Sequence, residues 1–168
     1  SQPPVVLLHG LGGSSTDWEQ CERHLKEEGG FRWVKAFDYS KTNSKDLKTN
    51  KDIAATAIEE RVEYVLMQGY YSKKVDIVGH SMGGLVARMY LLGLGDTSYR
   101  DDVRKLITVG TPHSGSGLAD LLFDLHNNSL MFRPLEVVVR PFISVDWGSD
   151  SALNDLALNS DYLDNTLN

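Results

Sequence analysis

Cysteine, proline and long apolar runs are all scarce in this chain of 168 residues. The single cysteine, Cys21, excludes an intrachain disulfide and a zinc site built from cysteine pairs. No apolar stretch is long enough to cross a bilayer. The opening Ser-Gln-Pro-Pro contains neither the charged nor the apolar part of a signal peptide, which is also true of a mature chain. The sequence therefore leaves the cellular compartment open.

Positive charge is also scarce, since 23 acidic residues face 17 basic ones and the formal net charge is -6. No basic stripe is interleaved with aromatic residues, so we expect no nucleic-acid partner. The densest basic run, residues 41–51, places four lysines among Thr, Asn and Ser, which favours a solvated loop over a binding patch. A hydrophobic content of 41% suits a soluble globular protein, and we predict one domain over residues 1–168.

Short apolar runs alternate with helical patterns along the chain. We predict strands at 5–8, 33–39, 74–78 and 103–109, and helices at 18–28, 52–68 and 85–92. In the second helix the predicted apolar face consists of Ile53, Ala57, Ile58, Val62, Val65 and Leu66. Strands that alternate with helices predict the α/β class, a mostly parallel sheet with helices on both faces.

Residues 113–150 break this alternation, because leucines, phenylalanines and valines are scattered there between prolines without a clear strand. Such an excursion is either a cap over an active site or an ordinary packed insertion. We favour a lid or cap, because long excursions beside active sites are commonly lids.

The most informative stretch is residues 79–83, with the sequence Gly-His-Ser-Met-Gly between a predicted strand and a helix. A strand that turns directly into a helix holds its serine, Ser81, in a strained conformation and exposes Oγ as a nucleophile. Gly79 and Gly83 flank the bend, where a Cβ would crowd the neighbouring elements. The alternative interpretation is a tight strand-to-helix turn whose serine has no catalytic role.

Two backbone N–H groups are candidates to stabilise an oxyanion. Met82 follows Ser81 at the start of a helix, and Leu11 lies in the His-Gly-Leu-Gly-Gly turn at 9–13, which ends the first strand. In a parallel sheet these strand ends open on the same edge.

A phosphate-binding loop is the alternative interpretation of the turn at 9–13. It fails because Ser15 stands where the dinucleotide pattern needs glycine, and no Gly-Lys-Ser/Thr follows.

Together with Gly-Thr-Pro-His-Ser-Gly at 110–115, these motifs resemble the α/β-hydrolase family, and specifically its bacterial-type lipases and related acyl hydrolases. The resemblance covers roughly residues 4–117 and is fainter at 151–168. It implies Ser81 as nucleophile, Leu11 and Met82 as oxyanion donors, no cofactor or metal, and fatty-acid esters as substrates. The motif positions that support these roles are His9, Gly10, Gly79, His80 and Gly83.

The family's chain order is serine, then acid, then histidine, and this sequence departs from it. After Asn154 there is no strand followed by Asp and no later Gly-His. We therefore expect the 168 residues to be the N-terminal part of a longer chain, incomplete at its C-terminus. His113 is the best substitute base within the sequence, ahead of the other four histidines. None of the acids Asp146, Asp150 and Asp155 follows a clear strand.

We expect a serine ester hydrolase of the lipase or esterase type, working through an acyl-enzyme and making transient contact with a lipid interface. The alternative from another class is a catalytically silent module that binds an apolar ligand or a partner protein. A thioesterase, amidase or acyltransferase would use the same elbow and turn. Acyl chain length and oligomeric state are not determined by the sequence.

Overall fold

Four parallel strands form the centre of the fold in the computed structural model, which describes residues 2–115 and 155–156. They are β1 (Val5–Leu8), β2 (Val34–Phe37), β3 (Val75–His80) and β4 (Val103–Val109). Their order in the sheet is β2-β1-β3-β4, and every neighbouring pair is parallel. This confirms the predicted α/β class.

In the described part of the chain, three α-helices cover the two faces of the sheet: α1 (Glu19–Glu27), α2 (Ile53–Met67) and α3 (Met82–Leu91). Alternate residues of β1 serve the two faces. Val6 and Leu8 pack in the larger core cluster with α2 and α3. Val5 and Leu7 pack in a second cluster that includes Leu25 of α1. Because both faces of β1 are covered, the strand is a continuous apolar run, as expected for the centre of a parallel sheet.

Some helix boundaries differ from the prediction. A 3-10 turn, Ser15–Trp18, precedes α1, and Ser14 caps it by accepting from the N–H of Thr16 at 3.3 Å. Asp17 completes this capping box by accepting from the Ser14 N–H at 3.2 Å. In α2 the buried face is rotated from the predicted one, since Arg61 is 8% exposed and Leu66 is 58% exposed.

The loop at 41–51 is more deeply anchored than its composition indicated. Lys41, Lys45 and Lys48 are exposed, as expected for a solvated run. Its other side chains include Asn43, Leu47 and Asn50, which are buried, so the loop is a packed part of the fold.

Two predicted segments fall largely outside the described residues. The lid or cap expected at 113–150 is described only for 113–115, and the segment at 151–168, where the resemblance is fainter, only for 155–156. Asp155 accepts from the N–H of Leu47 at 2.6 Å. Within the described part of the chain, no helix has the length and apolar character needed to cross a membrane.

Candidate functional site

Ser81 lies at the bend between β3 and α3 with φ 50° and ψ -123°. This positive φ is uncommon for a residue that carries a Cβ, and such conformations cost about 1–3 kcal/mol. The backbone around Ser81 holds it there. Its N–H donates to the carbonyl of Val109 in β4 at 2.9 Å, and its carbonyl accepts from the N–H of Gly84 at 3.1 Å. Ser81 is half-buried.

Glycine is required on both sides of this bend for steric reasons. A Cβ on Gly79 would lie 2.6 Å from the backbone nitrogen of Gly84. A Cβ on Gly83 would lie 2.7 Å from the carbonyl oxygen of His9 and closer still to that of Leu8. The start of α3 therefore rests directly on the backbone at the end of β1, with no room for a side chain between them.

The turn at 9–13 lies against the bend. A Cβ on Gly10 would lie 3.0 Å from Cβ of Ser81 and 3.0 Å from Nδ1 of His80. The two candidate oxyanion donors therefore belong to adjoining pieces of backbone. Among the described residues, neither the N–H of Leu11 nor that of Met82 donates a hydrogen bond. Both groups are thus available to an acceptor.

His9 is fully buried beneath this turn. Its Nε2 accepts from the N–H of Tyr39 at 3.2 Å, which leaves Nδ1 as the protonated nitrogen that donates to the carbonyl of Gly10 at 3.0 Å. The Tyr39 ring stacks on the imidazole with centroids 4.1 Å apart, and its hydroxyl donates to the carbonyl of His9. His9 is thus a buried structural residue that fixes the start of the turn.

Asn43 holds the same turn. Its side-chain amide donates to the carbonyl of Gly10 at 3.0 Å and to that of Gly13 at 3.1 Å. Neither Asn43 nor Tyr39 was among the site residues predicted from the sequence. The signal available for Asn43 was weak: an asparagine in a loop that follows the neighbouring strand β2.

The third motif packs on α3 through Thr111. A Cβ on Gly84 would lie 2.9 Å from Cγ2 of Thr111, so the small residue at the start of the helix admits this side chain. The segment after β4 is therefore fixed beside the bend.

His113 lies in this segment, but other side chains occupy its ring nitrogens. Nδ1 accepts from Nη1 of Arg88 at 3.0 Å, and Nε2 donates to Oγ1 of Thr108 at 3.2 Å. Burial, followed by the positive charge of Arg88, lowers the pKa of His113. The substitute base considered from the sequence is thus engaged elsewhere.

Among the described residues, Ser81 Oγ makes no hydrogen bond to a histidine. The ring of His80 meets Trp18 edge-on with centroids 6.4 Å apart, and His24 lies in α1 within 3.8 Å of Glu28. Asp155 is bonded to the 41–51 loop, as described above. His126, Asp146 and Asp150 lie outside the described residues.

Residues 3–150 match the family described as alpha/beta hydrolase fold. The chain belongs to the α/β-hydrolase family. This confirms the family expected from the motifs at 9–13, 79–84 and 110–115.

Two curated proteins are similar to this chain. A protein named triacylglycerol lipase from Pseudarthrobacter phenanthrenivorans is 29% identical over 130 residues, which cover 73% of this chain and 37% of that protein. A second protein of that name, from Burkholderia plantarii, is also 29% identical over 130 residues, covering 73% of this chain and 33% of its own length. This chain therefore matches about a third of the length of each relative.

Solved structures show the same α/β-hydrolase fold. The mature form of the Bacillus licheniformis lipase BlEst2 superposes with a TM-score of 0.67 at 25% identity, covering 98% of this chain and 57% of the lipase. Phospholipase PlaB from Legionella pneumophila superposes with a TM-score of 0.60 at 17% identity, covering 96% of this chain and 34% of PlaB, a likeness of fold alone.

Proposed function

We propose that this α/β hydrolase cleaves carboxylic esters, with Ser81 as the nucleophile. The observation that carries the proposal is the conformation of Ser81, held at φ 50° between β3 and α3. A non-glycine residue is retained in such a conformation when the surrounding structure enforces it, and such positions cluster at active sites. Ser81 directly follows β3 and directly precedes α3, which is the position that a nucleophile elbow gives its serine.

In the proposed reaction, Oγ of Ser81 attacks the ester carbonyl carbon and its proton passes to a general base. The N–H groups of Leu11 and Met82 donate to the oxyanion. The alcohol leaves with the proton, and water then attacks the acyl-enzyme to release the acid and regenerate Ser81. We infer that the base and its acidic partner come from chain outside the described residues, since His113 is bonded to Arg88 and Thr108.

We propose fatty-acyl esters as the substrate class. The support is the name triacylglycerol lipase carried by the two curated relatives, together with the lipase BlEst2 among the similar structures. Rates on p-nitrophenyl esters of increasing acyl length test this. A rate that peaks at long chains supports fatty-acyl esters, and activity confined to acetate contradicts them.

Contact with a lipid surface is part of the same proposal and rests on the apolar residues between 118 and 143, which lie outside the described part. Replacing Leu121 and Phe123 with serine should reduce activity on emulsified lipid more than on a soluble short ester. Equal losses on both substrates would contradict it.

Labelling with a fluorophosphonate, followed by intact mass, tests the nucleophile directly. The wild-type protein should gain one probe adduct, and Ser81→Ala should gain none. Ser114→Ala is the matched control, because Ser114 is an exposed serine of the third motif and its loss should leave labelling intact. Labelling that persists in Ser81→Ala would rule out Ser81, and a wild-type protein that takes no label would favour the silent binding module.

A further inference from the structure

Arg61, in the middle of α2, is buried although it carries a charge. Only 8% of its surface is exposed. Among the described residues its guanidinium takes part in neither a hydrogen bond nor an ion pair, and its Nε is shut off from solvent without a partner. Buried arginines are normally paired, so this one is unusual.

An unpaired buried cation is energetically unfavourable, because its lost hydration is not replaced. Burial lowers the pKa of Arg61, but a guanidinium remains charged at neutral pH. Among the described residues, two features favour its charge: the ring of Tyr64, whose centroid lies 4.1 Å from Cζ of Arg61, and the negative charge of Glu22. A cation–π contact stabilises a buried guanidinium less than a full ion pair with its hydrogen bonds would. The positive charge of Arg61 is therefore only partly compensated.

Arg61 lines a pocket of about 410 Å³ at the β2 edge of the sheet, between α1 and α2. This volume lies within the range of small-molecule sites. Much of the wall is apolar or aromatic and includes Val34, Phe37, Ala57, Trp33 and Tyr64. A ligand that reaches Arg61 therefore lies against an apolar surface along part of its length.

Charged side chains of both signs also line the pocket: the carboxylates Glu22 and Glu60, and the cations Lys26, Arg32, Lys35 and Arg61. Glu22 is already engaged, since it accepts from Nζ of Lys26 at 2.5 Å and from the N–H of Ala36 at 3.1 Å. The cations outnumber the carboxylates in this lining, so an anionic group is favoured beside Arg61.

We propose that this pocket binds a small carboxylic acid with an apolar body, its carboxylate paired with Arg61 and its body against Trp33 and Tyr64. The terminal nitrogens of Arg61 offer the parallel N–H donors that a carboxylate accepts. No residue of the Ser81 site lines this pocket, so the proposal stands whether or not Ser81 is a nucleophile.

To test this, the purified protein is titrated with sodium octanoate while the indole N–H signal of Trp33 is monitored in ¹⁵N-¹H NMR spectra. Trp33→Phe assigns that signal, and following it separates this pocket from binding elsewhere. We expect a saturable shift with octanoate and at least a tenfold weaker one with 1-octanol, which has the same chain without the charge. Equal affinity for the two compounds, or no shift of Trp33, would overturn the proposal.

Arg61→Met provides the matching protein change, because methionine keeps the buried chain and removes the charge. Octanoate affinity at the Trp33 signal should fall at least tenfold. Glu60→Gln is the control, and it should keep or strengthen binding, since it removes a repelling carboxylate. Unchanged affinity in Arg61→Met, or inorganic phosphate binding as tightly as octanoate, would contradict the proposal. The comparison of octanoate with 1-octanol needs no variant and remains decisive if Arg61→Met fails to fold.

Discussion

Asn43 and Gly10 are joined by a buried hydrogen bond of 3.0 Å, from the side-chain amide of Asn43 to the carbonyl of Gly10. The residues are 33 positions apart in the chain, and Gly10 directly precedes Leu11, a candidate oxyanion donor. The second N–H of the same amide bonds Gly13 at 3.1 Å. Asn43 therefore sets the path of the backbone on both sides of Leu11. Replacing its side chain should slow the reaction through the position of Leu11, although we do not expect Asn43 itself to contact the substrate.

Asn43→Ala should lower kcat on a soluble ester about tenfold to a hundredfold, with little change in KM. The reason is that a displaced Leu11 N–H stabilises the transition state less, and a single oxyanion donor is worth about 100-fold to 1000-fold. Steady-state kinetics measure this split between kcat and KM.

Asn50→Ala is the matched control for Asn43. Asn50 lies in the same loop, is equally buried, and donates to the carbonyls of Thr42 and Asp46 at 3.0 Å each, so it anchors the loop but does not reach the turn. Both variants should lose roughly 1–3 kcal/mol of unfolding free energy. An equal loss of kcat in the two would show that loop stability, and not the position of the turn, causes the effect.

Ser81→Gly should be more stable than Ser81→Ala by about 1 kcal/mol, although both lose activity. Glycine adopts φ 50° and ψ -123° readily, whereas alanine retains the strain of the native serine. Urea unfolding of the two variants measures the difference. Glu59, an exposed helical position in α2, is the control. There the alanine variant should be more stable than the glycine variant, because glycine disfavours a helix. The same order at both positions would argue against strain at Ser81.

Gly83→Ala should destabilise the fold by about 3 kcal/mol, because the added Cβ would meet the backbone carbonyls of Leu8 and His9. Thermal unfolding measures this loss. Gly30→Ala separates crowding from backbone conformation, since Gly30 has φ +69° but nothing within 4 Å of its Cβ position. It should cost only about 1 kcal/mol. Similar losses in the two variants would mean that crowding at Gly83 is relieved by movement of α3.

The free energy of unfolding should fall as pH falls below about 6.5, in part because of His113. Burial lowers the pKa of its ring in the folded state, so below this pH the unfolded chain binds more protons than the folded one. The contribution of His113 is complete above the unfolded pKa and is lost as pH falls towards the folded pKa. Urea unfolding measures the free energy of unfolding at pH 7.5 and at pH 5.5. The difference between these two free energies should therefore be smaller in His113→Gln than in the wild type.

His24→Gln is the control for this pH dependence, because His24 is exposed in α1. The difference in its free energy of unfolding between pH 7.5 and pH 5.5 should equal that of the wild type. A His113→Gln variant that keeps the full difference would show that the pH dependence arises from other groups.

The sequence carried enough information to predict the parallel sheet, since β1 is buried on both faces and reads as an uninterrupted apolar run. It also predicted Ser81 at a strand-to-helix bend, because Gly79 is required by contacts within the bend itself, which a short stretch of sequence records. The α2 face was only partly predicted. Helical periodicity identified Ala57 and Ile58, but Leu66 proved to be exposed and Arg61 buried.

What the sequence determined by itself is thus local: the order of strands and helices, the bend at Ser81, and the turn at residues 9–13. The tertiary structure alone decided that Tyr39 and Asn43 brace that turn, and that Arg88 and Thr108 engage His113. The physical reason is that these contacts join side chains on different elements, often about thirty residues apart. Their partners depend on how the helices and loops pack on the sheet, and no periodicity or motif within a single element encodes that packing.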